Sequence, residues 1–235
     1  MVDIKWIVFD ADNTLWDVEY LYDEARDEFC KYTLSLLDRL NENPRGNVDL
    51  DLLEKAQRRR DLQLYKTHSY SSARFARSFE DTLMFFLQYP PPEAVIHVRH
   101  IAQDVFEKPV RLVNNLKQIL DRLSGKYCLG IITAGERWVQ EKRMAQFHLR
   151  DRFKEILIVE KKTADVFKAF CVSHDIEPKS CWVVGDSIRS DVLPAIEAGL
   201  RAIHVQASNW IAEHEELPAD IHSVKVLREI LEILA

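Results

Sequence analysis

The chain opens on a short apolar run, Ile4-Lys5-Trp6-Ile7-Val8-Phe9, that stops abruptly at the acidic Asp10-Ala11-Asp12-Asn13-Thr14. A run this short, rich in β-branched and aromatic residues, suits a strand buried on both faces, as parallel strands are. From residue 18 to 41 the apolar positions fall at helical spacing, with Leu21, Ala25, Phe29, Tyr32, Leu36 and Leu40 on one side. The segment 41–47, NENPRGN, predicts a break. Helices are predicted again over 51–65, 71–87 and 92–106, the last two divided by Pro90, Pro91 and Pro92.

Beyond residue 107 the pattern changes. Helices are predicted over 110–123 (stopped by Gly125), 136–147, 163–175 with Thr163 as N-cap, and 190–198 (ending at Gly199). Between them lie short apolar runs that read as strands over 127–133, 156–159, 181–184 and 202–205, and a last helix covers about 224–234. Alternation of this kind implies βαβ units, a parallel sheet and helices on both faces. The predicted fold class is therefore α/β: a parallel-sheet core of residues 1–16 and 108–235 with an all-helical insertion at 17–107. Open α/β sheets bind ligands beyond the carboxyl ends of their strands. An insertion leaving from the end of the first strand is expected to sit there as a lid.

Composition narrows the function classes. With 47% hydrophobic and 30% charged residues the chain reads as globular, not disordered. A net charge of −6 argues against a nucleic-acid partner gripped by a broad basic face, yet leaves room for a locally positive site that takes a small anion. Cys30, Cys128, Cys171 and Cys181 form no C-x-x-C pair and are expected to be buried free thiols. No apolar run approaches the ~20 residues of a membrane span. The first residues lack the basic-then-apolar order of a signal segment. The expectation is a cytoplasmic protein with no membrane partner; its oligomeric state is open.

Reactive groups recur where strands end. The first strand runs into Asp10 and Asp12, two carboxylates that can share a metal or divide nucleophilic and proton-transfer work. The next core strand ends at Thr133-Ala134-Gly135, a hydroxyl and free amides ahead of a helix, suited to an anion. Lys161 and Lys162 precede a helix, and Gly185-Asp186-Ser187 with Asp191 follows the strand CWVV. Each alone has a plainer reading: capping carboxylates, a helix cap, a solvated lysine pair, turn residues. Their order, each group after a predicted strand, carries the weight.

These segments resemble the four motifs of the haloacid dehalogenase superfamily, which has a Rossmann-like core. FDADNTLWD resembles the first, D-x-D-x-[TV]. IITAG is similar to the second, EKKTADVF to the third and VVGDSIRSDVLPAIEAGLRAIHV to the fourth. The helical insertion resembles the superfamily's type-1 cap. The resemblance implies a phosphatase in which Asp10 is the nucleophile and forms an aspartyl-phosphate, and Asp12 is the general acid and base. It implies Mg²⁺ held by Asp10, Asp186 and the backbone carbonyl of Asp12. Thr133 and the amides near Ala134, Ala11 and Asp12 would hold the phosphoryl oxygens, and a motif lysine, Lys162 or Lys161, would neutralise charge. Asp191 would orient that lysine or a metal-bound water, with Ser187 beside it behind these groups. Ala134 stands where many members carry Asn, which removes a side chain but keeps the amide.

Asp12 discriminates among reactions, since dehalogenases of the superfamily lack this carboxylate: a departing halide needs no proton. The implied substrate is a small phosphorylated metabolite. A phosphomutase, or a non-catalytic binding protein on the same fold, is the alternative. In the insertion, Arg74 and Arg77 are candidate substrate contacts, with a solvated helix face as the competing reading.

Overall fold

A computed structural model describes residues 5–40, 48–207 and 215–234. The predicted break at 41–47 and the start of the first strand at Ile4 lie outside the described residues. In order come β1 (Trp6–Phe9), β2 (Trp16–Asp17), α1 (Glu19–Leu40), α2 (Leu50–His68), α3 (Ser72–Phe86), α4 (Pro92–Glu107), β3 (Arg111–Leu112), α5 (Leu116–Ser124), β4 (Cys128–Ala134) and α6 (Arg137–Ala145). Next are β5 (Glu155–Val159), α7 (Ala164–Ser173), β6 (Cys181–Gly185), α8 (Leu193–Glu197), β7 (Arg201–Val205), β8 (His222–Val224) and α9 (Ile230–Ile233). The chain divides into two compact units, Met1–Val18 with Val110–Ala235, and Glu19–Pro109.

In the first unit six strands form one sheet in the order β5-β4-β1-β6-β7-β8, and every pairing is parallel. The helical region α1–α4 is inserted between β1 and β4. The central β1 is buried on both faces. Trp6 and Val8 join the cluster of Phe167, Phe170, Val183 and Ala195, while Phe9 meets Phe153 on the opposite side at a ring distance of 6.4 Å. Each such side chain contributes about 1.5–3 kcal/mol on burial, so the middle of the sheet fixes the rim above it.

Three differences from the sequence reading have local causes. The helix predicted from residue 110 begins only at Leu116, because Arg111–Leu112 pairs antiparallel with Trp16–Asp17. The helix expected over 190–198 starts with a π turn over Ile188–Val192. The predicted last helix contains instead the edge strand β8, then a 3₁₀ turn and the short α9. Two- and three-residue strands carry no alternation to read.

In the second unit, α3 buries Phe75, Phe79, Leu83 and Phe86. Arg74 is also buried there, in an ion pair with Asp61 at 2.7 Å, and Gln57 donates to Ser78 Oγ at 2.8 Å. The four cysteines are free thiols, three of them buried. Among the described residues no helix is long and apolar enough to cross a membrane.

Candidate active site

Parallel register brings the strand ends together. Phe9 is level with Ile131 of β4 and Val184 of β6, so Asp10, Thr133 and Asp186 leave the sheet at one rim. Val159 of β5 is level with Ala134, which puts Lys161 and Lys162 just past the same rim.

After β1 the chain turns tightly. The Ala11 carbonyl accepts from the N–H groups of Thr14, Leu15 and Trp16 at 3.3, 2.8 and 3.3 Å. Asn13 takes a left-handed conformation, φ 60°, which asparagine tolerates better than most residues. Trp16 is fully buried, and its indole Nε1 donates to Asp12 Oδ1 at 2.6 Å.

Asp10 is buried, and its backbone N–H donates to the Val184 carbonyl at 2.8 Å. Lys162, also buried, donates from Nζ to Asp10 Oδ1 at 2.5 Å and to Asp191 Oδ1. Lys161 is exposed. Burial alone would lower the Lys162 ammonium, but the charges of Asp10 and Asp191 outweigh it and hold the pKa above its ordinary value. Asp191 is carried back toward β6 by the π turn, where its Oδ2 accepts the Ser187 N–H at 3.1 Å. Ser187 in turn caps that turn, its Oγ accepting from the Ser190 N–H at 3.0 Å. Gly185 permits this approach: a Cβ there would stand 2.3 Å from Asp191 Cγ.

Asp10, Asp186 and Asp191 each offer a carboxylate oxygen within 4.8 Å of the others. Burial first, then Lys162 in opposition and Asp191 in support, leave the Asp10 carboxyl at about 7. Asp186 is raised well above its ordinary value by burial, Asp10 and Asp191. Three crowded carboxylates facing one ammonium, with oxygen donors alone, are the donor set a hard divalent cation takes. Both Asp191 oxygens already have protein donors, which leaves Asp10 and Asp186 as the better placed side-chain ligands. Asp12 stands apart from this cluster. Its Oδ2 accepts from Arg143 Nη1 at 2.6 Å and Gln140 Nε2 at 2.9 Å.

Thr133 Oγ1 is buried and has no hydrogen-bond partner among the described residues, an arrangement that an incoming anion would relieve. Gln140 Nε2 also reaches the Ala134 carbonyl at 3.3 Å. Arg74 and Arg77 lie in the other unit; Arg77 is exposed and pairs with Asp81 at 2.7 Å.

Sequence reasoning missed three neighbours of the site. Gln140 and Arg143 sit i, i+3 on α6, a spacing that was readable, but nothing marked that face as inward. His204 on β7 is buried; its Nε2 lies 3.0 Å from the Asp186 carbonyl and its Nδ1 3.1 Å from Ser223 Oγ, so Nε2 carries the proton donated to that carbonyl.

Comparison with known proteins agrees with the fold. Residues 4–199 match the haloacid dehalogenase-like hydrolases, and the chain belongs to that family. A glyceraldehyde 3-phosphate phosphatase of Pyrococcus furiosus is 27% identical over 241 residues, 98% of this chain and 93% of its own. The human N-acylneuraminate-9-phosphatase is 23% identical over 128 residues, 52% of each chain; the match thus spans about half the length of that relative. A haloacid dehalogenase-like hydrolase from Xanthomonas campestris superposes with a TM-score of 0.81 at 20% identity, covering 99% of this chain and 95% of its own.

Proposed function

We propose that this hydrolase is a Mg²⁺-dependent phosphatase of small phosphate monoesters, with Asp10 as nucleophile and Asp12 as general acid and base. One observation carries the reading. Two carboxylates leave the same strand end two residues apart, and they are held by different cations: Asp10 by Lys162, Asp12 by Arg143. Separate environments suit separate roles. Asp10 is held by a buried ammonium that also offsets the charge of an arriving phosphate. Asp12 is the more exposed, with 27% of its side chain accessible, and can exchange a proton with a leaving alcohol and with water. A halide would need no such group, so Asp12 argues for an ester.

In this reading Asp10 attacks phosphorus in line while Asp12 protonates the departing alkoxide. Water then attacks the aspartyl-phosphate, giving its proton to Asp12. Thr133 Oγ1 and the amide of Ala134 hold phosphoryl oxygens, and Lys162 offsets charge on Asp10. Mg²⁺, held by Asp10, Asp186 and the Asp12 carbonyl, would neutralise developing charge. Asp191 and Ser187 keep Lys162 in place. We assign residues 1–16 and 108–235 to the catalytic core and 17–107 to a cap. The phosphatase activities of the two relatives support the reaction class. The physiological substrate would be set by the cap, with the exposed Arg77 a better candidate contact than Arg74, which is buried against Asp61.

The test is turnover of p-nitrophenyl phosphate with Mg²⁺ against EDTA, followed by a panel of phosphorylated metabolites. Metal-dependent phosphate release is expected. No release from any panel member with Mg²⁺ present would favour a non-catalytic binding protein, and isomerisation of a sugar phosphate without release would favour a mutase.

A further inference from the structure

The Asp12 carboxylate, on which the proposed acid–base role rests, has three donors: Trp16 Nε1 on Oδ1, and Arg143 Nη1 with Gln140 Nε2 on Oδ2. A carboxylate oxygen offers two lone pairs. Those of Oδ2 are both engaged, whereas Oδ1 has one donor among the described residues and keeps one lone pair for a partner. The donors also come from two sides. Trp16 opens β2 just past the turn after β1, and Arg143 and Gln140 belong to α6, so the carboxylate is held from both sides.

The Arg143 side chain is only 3% exposed, although the acid it serves is 27% exposed; burying a guanidinium is unfavourable unless its partner geometry offsets the desolvation. Gln140 is buried with its Oε1 unpartnered among the described residues. Turning the amide over would satisfy that oxygen no better, and it would set an oxygen against a carboxylate. Its present orientation serves Asp12 and the Ala134 carbonyl.

We propose that Arg143 and Gln140 are positioning residues that lock the Asp12 carboxylate with Oδ1 as the oxygen of proton exchange, an inference that deepens the acid–base assignment of Asp12 and depends on it. In the first step the Asp12 Oδ1 proton passes to the leaving-group oxygen as its bond to phosphorus breaks and the Asp10 oxygen–phosphorus bond forms. In the second, water forms the new bond to phosphorus, its proton goes to Oδ1, and the Asp10 oxygen–phosphorus bond breaks. Arg143 and Gln140 exchange no proton; they keep Oδ1 aimed.

Leaving-group dependence separates this from a structural role. p-Nitrophenolate leaves with little help from a proton, whereas the alkoxide of glycerol phosphate needs one. Arg143→Met, Arg143→Lys, Gln140→Leu and Asp12→Ala are assayed on both esters with saturating Mg²⁺, with melting temperatures alongside. Arg143→Met is expected to lose roughly 100-fold in kcat on glycerol phosphate, as for a misplaced catalytic group, and about threefold or less on p-nitrophenyl phosphate. Arg143→Lys should recover most of the loss, and Gln140→Leu should show the same split more weakly. If Asp12→Ala splits the two esters and Arg143→Met lowers both equally, the positioning role is overturned while the acid role stands. If Asp12→Ala shows no split, the acid role itself fails and takes this proposal with it. Should Arg143→Met not fold, Gln140→Leu decides, because it leaves the ion pair intact; equal losses on the two esters there contradict the proposal.

Discussion

Lys162 Nζ donates to Asp10 Oδ1 at 2.5 Å across 152 residues of sequence, and the same ammonium holds Asp191. This one cation ties the end of β1 to the loop before α7 and to the π turn after β6. It also enters the charge balance of the site, because three carboxylates converge there and this ammonium pairs with two of them, Asp10 and Asp191. The remaining negative charge suits a divalent cation.

Replacing that lysine exposes its structural share. Lys162→Met takes the ammonium away from the buried Asp10 and Asp191, and removing one partner of a buried ion pair typically costs about 3–5 kcal/mol. Urea unfolding in EDTA should show a loss of that order at neutral pH, and saturating Mg²⁺ should recover part of it. A variant as stable as the parent would show that the ammonium is not what holds the carboxylates together.

The pH dependence of the metal-free protein comes from the same crowding. The Asp10 carboxyl is raised from 3.8 to about 7, chiefly by burial, and Asp186 is raised in the same direction. The folded form therefore keeps protons that the unfolded chain releases, so these groups make stability fall as pH rises from about 4 through about 7. Mg²⁺ requires the carboxylates ionised, so its stabilisation grows over the same window. Melting in EDTA should decline between about pH 5 and about pH 7.5 more steeply for the parent than for Asp10→Asn, and excess Mg²⁺ should flatten the parent's curve. A parent slope no steeper than that of Asp10→Asn would contradict this.

Gly185 offers a purely steric test. A Cβ at 2.3 Å from Asp191 Cγ must push the π turn outward. Gly185→Ala is expected to destabilise by about 1–3 kcal/mol, the range for overpacking, and to reduce activity by pulling Asp191 off Lys162. Chemical denaturation and turnover measured together check it. Lost stability with full activity would mean that the Asp191 contact is dispensable for turnover.

Much of this was legible in the sequence, for identifiable reasons. The core strands announce themselves because runs such as Trp6–Phe9 are buried on both faces and so are continuously apolar. The acidic groups Asp10, Asp186 and Asp191 could be placed because each comes after such a run. The choice between Lys161 and Lys162 could not be made from composition: the two are adjacent and chemically identical, and only the path of the loop makes one buried and the other exposed. Arg143 was invisible for another reason. The helix α6 carries Arg137, Glu141, Lys142 and Arg143, and a charged stretch reads as solvated until a partner appears, here 131 residues away. Arg74 shows the same effect, a charge on a helix that proves buried against Asp61.

The most direct test of the central claim is to stop turnover with acid in the pre-steady state and search the peptides for a phosphoryl group by mass spectrometry. The account predicts a phosphoryl group on the peptide carrying Asp10. It should be labile to base, should form only with Mg²⁺ present, and should be absent from Asp10→Asn. That variant should keep its fold by circular dichroism and lose about 10⁴-fold or more in kcat. Phosphate release with no phosphopeptide at any time point, or a phosphoryl group on another residue, would contradict it.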